Sequence, residues 1–297
     1  MPPRQRPPRR TPKSVVWRRR VVALAVLVAG FLIAWFAVDS VGGSDGSKPE
    51  TTTRAIVAPR PFRVVFPEGF TRKQMAERVG VVAKIAERER GKKPRIAPAP
   101  YLAATRRARR QPGFGARKYP LEGFLFPATY DFTVRTTSAQ LVAAQLQAFH
   151  RNWAKVNLAY ARSKNLTPYD VLIIASMVEK ETLAPEERQL VSAVIYNRLH
   201  ARMALGIDAT LRYGLNIPPT ESIRESQLES TNPYNTRHTP GLTPTPIANP
   251  GLASIQAAAH PAKVDYLYFV RKPDKKHHFF TASLDEFNRY KAAHGYP

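Results

Sequence analysis

Between Val21 and Val38 the chain reads VVALAVLVAGFLIAWFAV, eighteen residues without a charge or a polar side chain. At about 1.5 Å per residue a helix of that length covers about 27 Å, close to the roughly 30 Å hydrocarbon core of a bilayer. A helix buried in a soluble core fits badly, because no polar face exists anywhere in the run. A cleavable signal peptide fits less well than an anchor. Its apolar region would be about 7–15 residues long and end in an A-x-A-like site, which Phe36-Ala37-Val38-Asp39 does not resemble. Arg18, Arg19 and Arg20 abut one end of the run, and Asp39 with a Gly/Ser-rich stretch follows the other. The positive-inside rule then keeps the basic tail, residues 1–20, in the cytoplasm. A single-pass anchor over 21–41 and a linker over 42–61 put the rest of the chain outside.

The remaining residues are numerous enough for one or two globular domains in a chain of 297. The formal charge is +24, and seventeen of those charges come from residues 1–20 and 86–118. Such a balance attracts anions in general, but no zinc-finger spacing, aromatic ribonucleoprotein signature or basic helix running into heptads accompanies it. Nucleic acid is therefore not the expected partner. The chain has no cysteine, which excludes disulfide scaffolds, thiolate metal sites and thiol nucleophiles. Seven histidines include His277-His278, yet none has metal-ligand spacing, and no metal or cofactor is expected. G-x-S-x-G and phosphate-cradling glycine loops are absent as well.

Local patterns outline the outer part. Residues Phe62–Phe66 read as a strand and Pro67-Glu68-Gly69 as a turn. Thr71 with Gln74 forms a capping box for a helix whose apolar stripe is Met75, Val79 and Val82. Residues 91–118 read as a loop or a basic helix around Tyr101–Arg110. The stretch Tyr119–Phe132 packs aromatics around one acid, Glu122; an aromatic groove suits the apolar faces of sugar rings as well as a core. Ser138–Ala161 reads as one long helix. Thr167 as cap, Pro168 at the first position and Asp170 at the third open another, apolar until Glu179 and Glu181. These two project about 200° apart on a helix, so they cannot face one cleft. Met177, Val178 and Ile174 give Glu181 the more apolar neighbourhood, and desolvation suits a carboxyl to donate a proton near neutrality. The plainer alternative is a charged helix end in solvent. A further helix spans Pro185–Met203. Residues 231–251 hold five prolines and two glycines and read as a stiff loop. Its Asn235, Tyr234 and Asn249 offer neutral hydrogen-bonding groups of the kind that match sugar hydroxyls. Helix Leu252–His260, strands Tyr266–Val270 and His278–Thr281, and helix Leu284–His294 close the chain.

Several segments together resemble the endolytic murein transglycosylases of the MltG or YceG-like family. They are Leu121-Glu-Gly-Phe-Leu-Phe-Pro-Ala-Thr-Tyr, Ile174-Ala-Ser-Met-Val-Glu-Lys-Glu-Thr, Ala193-Val-Ile-Tyr-Asn-Arg-Leu and Asp208-Ala-Thr-Leu-Arg-Tyr. Pro233-Tyr-Asn-Thr, Pro246-Ile-Ala-Asn-Pro-Gly, Ala258-Ala-His-Pro-Ala and Tyr266-Leu-Tyr-Phe-Val follow in family order. The resemblance implies an α+β fold: a single transmembrane helix, a small LysM-like module with the basic segment over 62–118, and a mainly helical, lysozyme-like catalytic domain over 119–297. It implies a lyase in a bacterial inner membrane, with its catalytic domain outside. That lyase would cleave the MurNAc-β-1,4-GlcNAc bond inside nascent peptidoglycan strands and leave 1,6-anhydro-MurNAc ends. Glu181 would be the catalytic glutamate, with Glu179 the second choice. Tyr234, Asn235, Asn249 and Glu122 would contact substrate, and cell-wall synthases would be partners. Two departures stand out. The resemblance leads one to expect that a first LysM-like unit before the Pro-Glu-Gly turn is missing, and Arg237 occupies the place of the family's usual Tyr, with Thr243-Pro-Thr-Pro246 in place of Pro-Pro-Gly-Pro. The alternatives are a non-catalytic peptidoglycan-binding scaffold of the wall-synthesis machinery and a basic membrane-surface protein that binds anionic polymers.

Overall fold

The computed structural model describes residues 61–109, 112–115 and 120–296. The apolar run Val21–Val38 and the basic tail lie outside them. Among the described residues no helix is long and apolar enough to cross a membrane. Those residues form a mixed α/β fold of ten α-helices, a 3-10 turn and four short strands.

Strand β1 (Phe62–Val65) pairs antiparallel with β2 (Thr129–Phe132), in a register that stacks Phe62 on Phe132 at 5.5 Å between ring centroids. Between them come α1 (Arg72–Arg90) and α2 (Pro98–Arg107). The capping box at the start of α1 forms as its sequence specifies: Thr71 Oγ1 accepts from the Gln74 N–H, and Gln74 returns a bond to the Thr71 N–H. Met75 and Val79 are buried, while Val82 packs at the edge. Within the stretch 91–118, read as loop or basic helix, residues 98–107 form α2, which buries Tyr101 and Thr105. Tyr101 donates to Gln145 at 2.6 Å, tying α2 to α3 (Ser138–Trp153). Leu141, Val142 and Ala148 of α3 enter this first core, whereas Phe149 enters the second.

The long helix expected over Ser138–Ala161 stops at Trp153. Lys155 and Val156 turn back onto the carbonyls of Asn152 and Trp153, and Asn157 Oδ1 accepts the N–H of Ala159 at 2.9 Å. That side chain starts the short α4 (Ala159–Ser163) and competes with continuation of α3. At the break, Trp153 packs on Phe114 and Phe149.

The second core surrounds α5 (Pro168–Glu181), whose residues from Val171 to Val178 are all buried. Thr167 and Asp170 cap it reciprocally. A helix buried all round needs neighbours on every side. It finds them in α6 (Arg188–His200), α7 (Asp208–Leu215) and α9 (Leu252–Ala259); the short α8 (Glu225–Leu228) lies between α7 and α9 in the chain. Alanines 257, 258 and 259 keep α9 slim enough to pack closely along α5. The expected helix over Pro185–Met203 divides into a 3-10 turn, Pro185–Glu187, and α6. Hairpin β3 (Tyr268–Arg271) and β4 (His278–Thr281), with α10 (Leu284–Ala293) against it, completes the fold. Glu187 clamps this hairpin, accepting the His278 N–H at 2.9 Å and meeting its Nδ1 at 2.7 Å, both side chains being buried. Residues 231–251 contain neither helix nor strand.

Gly123 is where the fold tolerates nothing larger. Its φ is +87°, and a Cβ there would lie 2.6 Å from Cγ of Pro246, a ring that cannot swing away. Gly123→Ala is expected to lower the unfolding free energy by roughly 2–4 kcal/mol, through strain and overpacking together, read as a fall in the urea midpoint.

Candidate active site

Two glutamates approach neutrality in this structure, by different routes. Glu181 is the last residue of α5, and its carboxyl reaches the N-terminus of α7. The residue is half-buried, and its carboxyl group lies deep enough among protein atoms for desolvation to dominate. Burial first, then the negative charge of Asp208, push it up to about 7; the Arg271 guanidinium, the Ala209 N–H and Lys180 pull it down. Ala209 is the second residue of α7, so the same carboxyl sits at the positive end of a helix dipole. A carboxyl poised in this way can give up a proton and, once ionised, take one back.

Glu179 points elsewhere. Its Oε2 accepts the N–H of Gly251, the cap of α9, at 3.0 Å, and its Cγ lies against Gly69. Glu68, from the Pro-Glu-Gly turn, sits beside it over Gly251. Partial burial and the neighbouring Glu179 charge push Glu68 up, against the pull of Arg188. The two glutamates of α5 thus diverge to separate neighbourhoods, as helical geometry requires.

Glu122 is the second acid, and it is enclosed. Its Oε1 accepts from the Arg72 N–H and from Asn249 Nδ2, both at 2.8 Å, and its Oε2 accepts from the Tyr213 hydroxyl at 3.1 Å. Burial nevertheless pushes it up to about 7 against those three donors and the Arg72 charge. Asn249 completes a latch. Its Oδ1 accepts the Leu125 N–H, its Nδ2 also donates to Phe70 O, and its own backbone N–H and carbonyl pair with Phe70 and Gly69. Every polar atom of that side chain is engaged within the protein.

Asn235 is equally occupied. Its Nδ2 donates to the carbonyls of Leu228 and Ser230 at 2.8 Å each, and its Oδ1 accepts the Arg237 N–H. Asn235, Asn249 and Glu122, expected from the sequence as substrate contacts, thus have internal partners in this structure. All three are buried and saturated, and they hold the loops together. Tyr234 differs. It is half-buried, tilted against Tyr213 at 5.1 Å, with its hydroxyl on Thr245 Oγ1 at 2.8 Å, so part of the ring remains at the surface.

Sequence reasoning singled out neither Asp208 nor Arg271 as site residues, although the structure brings both to bear on Glu181. An acid in the first turn of a helix is a visible signal at Asp208; nothing local marks Arg271, which arrives on β3. Two hollows in the surface lie away from Glu181. One, of about 570 Å³, includes Tyr160, Asn197 and Tyr266, and the other, of about 350 Å³, includes Glu186, Gln189 and His260.

This arrangement occurs in a chain with identifiable relatives. A segment of it is 36% identical over 174 residues to a Bacillus subtilis protein named endolytic murein transglycosylase. The match covers 59% of this chain and 48% of that one. A Streptococcus pneumoniae protein of the same name is 37% identical over 188 residues, 61% of this chain and 33% of its own. The chain thus spans about half the length of one relative and a third of the other. The crystal structure of a yceG-like protein from Listeria monocytogenes superposes with a TM-score of 0.64 at 30% identity, covering 79% of this chain and 77% of that one. The sequence model of the YceG-like family matches residues 44–293, which takes in both cores, Glu181 and the residues around it. On that match, and on a fold shared with a solved relative, the chain belongs to the YceG-like family.

Proposed function

We propose that this chain is a membrane-anchored endolytic peptidoglycan lytic transglycosylase. Val21–Val38 is its anchor in a bacterial inner membrane, and residues from about 40 onward lie outside, with a LysM-like module leading into a lysozyme-like catalytic part. The observation that carries the reading is a single one: the Glu181 carboxyl, desolvated at the N-terminus of α7 between Asp208 and Arg271, where burial pushes it up to about 7. The relatives' name supplies the substrate class, peptidoglycan glycan strands.

The protonated Glu181 donates to the glycosidic oxygen between MurNAc and GlcNAc. The C1–O bond breaks, its electron pair goes to that oxygen, and C1 develops oxocarbenium character. The muramyl C6 hydroxyl then bonds to C1 and passes its proton to the Glu181 carboxylate. The ring closes as a 1,6-anhydro end, the glutamate is protonated again, and no water is consumed. One carboxyl suffices, which accords with Glu179 and Glu122 being turned to other partners.

The test is cleavage of uncross-linked glycan strands by the full chain in detergent, with products sized and weighed by mass spectrometry. Mid-strand fragments one water lighter than hydrolysis products are expected. Binding without any product from a folded protein would favour the scaffold reading instead.

A further inference from the structure

Resting on the reading of Glu181 as the acid and base, we propose that Arg237 is a positioning residue: by forking onto Asp208 it sets the charge that the first turn of α7 presents to Glu181. Arg237 Nε and Nη2 both donate to Asp208 Oδ1, at 3.2 and 2.5 Å. Asp208 is the first residue of α7, and the next N–H along, that of Ala209, is the one that meets Glu181. The pair is therefore one residue removed from the reacting carboxyl.

The loop carrying Arg237 is fixed to that same turn. The Gly206 N–H donates to Thr236 O at 2.9 Å, the Ile207 N–H donates to Thr236 Oγ1 at 3.0 Å, and Thr210 Oγ1 lies 3.0 Å from Thr236 Oγ1. Asn235, held by Leu228 and Ser230, accepts the backbone N–H of Arg237 itself. Thr210, Asn235 and Thr236 are buried, so Arg237 departs from an immobile base. Its own side chain and that of Asp208 are about half exposed, at 43% and 51%. An ion pair so exposed contributes little to stability. Its effect is on the charge beside Glu181.

The charged groups that bear on Glu181 are Asp208 from α7, which favours its protonated form, and Arg271 from β3 and Lys180 from its own helix, which oppose it. Arg198 of α6 lies close enough to Arg237 to feel its charge, and it is held by the carbonyls of Leu267 and Leu205. On the loop itself, His238 faces Glu229. With Arg237 in place the field of Asp208 is partly cancelled, and Glu181 can cycle between both forms near neutrality. Without it, the full field of Asp208 reaches Glu181, against Arg271 and Lys180 alone, and Glu181 retains its proton to higher pH.

The test titrates Glu181 directly, in the full chain in detergent micelles, with glutamate labelled by ¹³C at Cδ and the Glu181 resonance assigned by its loss in Glu181→Gln. Arg237→Ala is expected to raise the Glu181 midpoint by roughly half to one pH unit, and Asp208→Asn to lower it. In the Asp208→Asn background the effect of Arg237→Ala is expected to shrink by at least about half. Arg237→Gln gives a second, bulkier removal of the charge should the alanine variant fold poorly. A midpoint within about 0.2 units of wild type in a folded variant, or an equal shift with and without Asp208, overturns the proposal. The alkaline limb of the cleavage rate should move with the NMR midpoint. A midpoint that moves while the limb stays would leave the coupling to Asp208 intact but remove Glu181 from the reaction.

Discussion

Glu181→Gln is expected to lower the cleavage rate on glycan strands by about 10²- to 10⁴-fold, the range that a positioned general acid supplies. The substitution keeps the shape of the side chain and an oxygen for the Ala209 N–H, so the melting temperature should hold while turnover collapses. Glu179→Gln makes the contrast. That side chain still offers an oxygen to Gly251 and relieves a like charge beside Glu68, so activity within a few-fold of wild type is expected. Initial rates on uncross-linked strands at pH 6–8 separate the two variants. A near-normal Glu181→Gln with a dead Glu179→Gln would transfer the acid to the other carboxyl.

The second large effect is structural. Glu122→Ala removes the common acceptor of the Arg72 N–H, Asn249 Nδ2 and the Tyr213 hydroxyl, leaving donors stranded in a buried site. A loss of about 3–5 kcal/mol is expected, a large share of the roughly 5–15 kcal/mol that keeps a domain folded. Glu122→Gln retains an acceptor and should remain close to wild type at low pH. The pH dependence gives a further check. A carboxyl raised from 4.5 to about 7 holds its proton in the folded state after the unfolded chain has released it. Its contribution to stability is therefore fully present below about pH 4.5 and is lost as pH rises to about 7, a fall of about 3 kcal/mol. Glu181, raised to the same level, adds a similar slope. Denaturant unfolding between pH 4.5 and 8 should show Glu122→Gln with roughly half of the wild-type loss from these two groups, and hence the more stable protein at pH 8. An alanine variant as stable as the glutamine variant would contradict the latch.

These cases separate what a one-dimensional reading reaches from what it does not. The caps of α1 and α5 were legible because all their partners lie within three residues: Thr71 with Gln74, and Thr167 with Asp170. The divergence of Glu179 and Glu181 followed from helical pitch alone. Pairing β1 with β2 joins Phe62 to Phe132, and no local pattern records that choice; β2 was hidden in an aromatic stretch equally suited to a groove. The early end of α3, where Lys155 and Val156 turn back onto Asn152 and Trp153, is not marked in the sequence pattern. The amide-rich loop shows what composition leaves open. Its Asn235 and Asn249 pair with backbone groups of neighbouring segments, the carbonyl of Leu228 and the N–H of Leu125 among them, and so tie the loop to the rest of the fold. Composition records that a loop is rich in amides, but not whether they face inward. The environment of Glu181 lay between these extremes. Its apolar side was readable from Ile174, Met177 and Val178, while Asp208, Arg271 and the Ala209 N–H come from elements remote in sequence.

The central claim is that one carboxyl cleaves the strand with the sugar's own C6 hydroxyl as nucleophile. Digestion of uncross-linked glycan strands in H₂¹⁸O by the full chain, with product ends weighed by mass spectrometry, tests it most directly. Anhydro ends without ¹⁸O from the wild type, and no product from a folded Glu181→Gln, are the expected result. Reducing ends that carry one ¹⁸O would make water the nucleophile, require a second carboxylate, and contradict the claim.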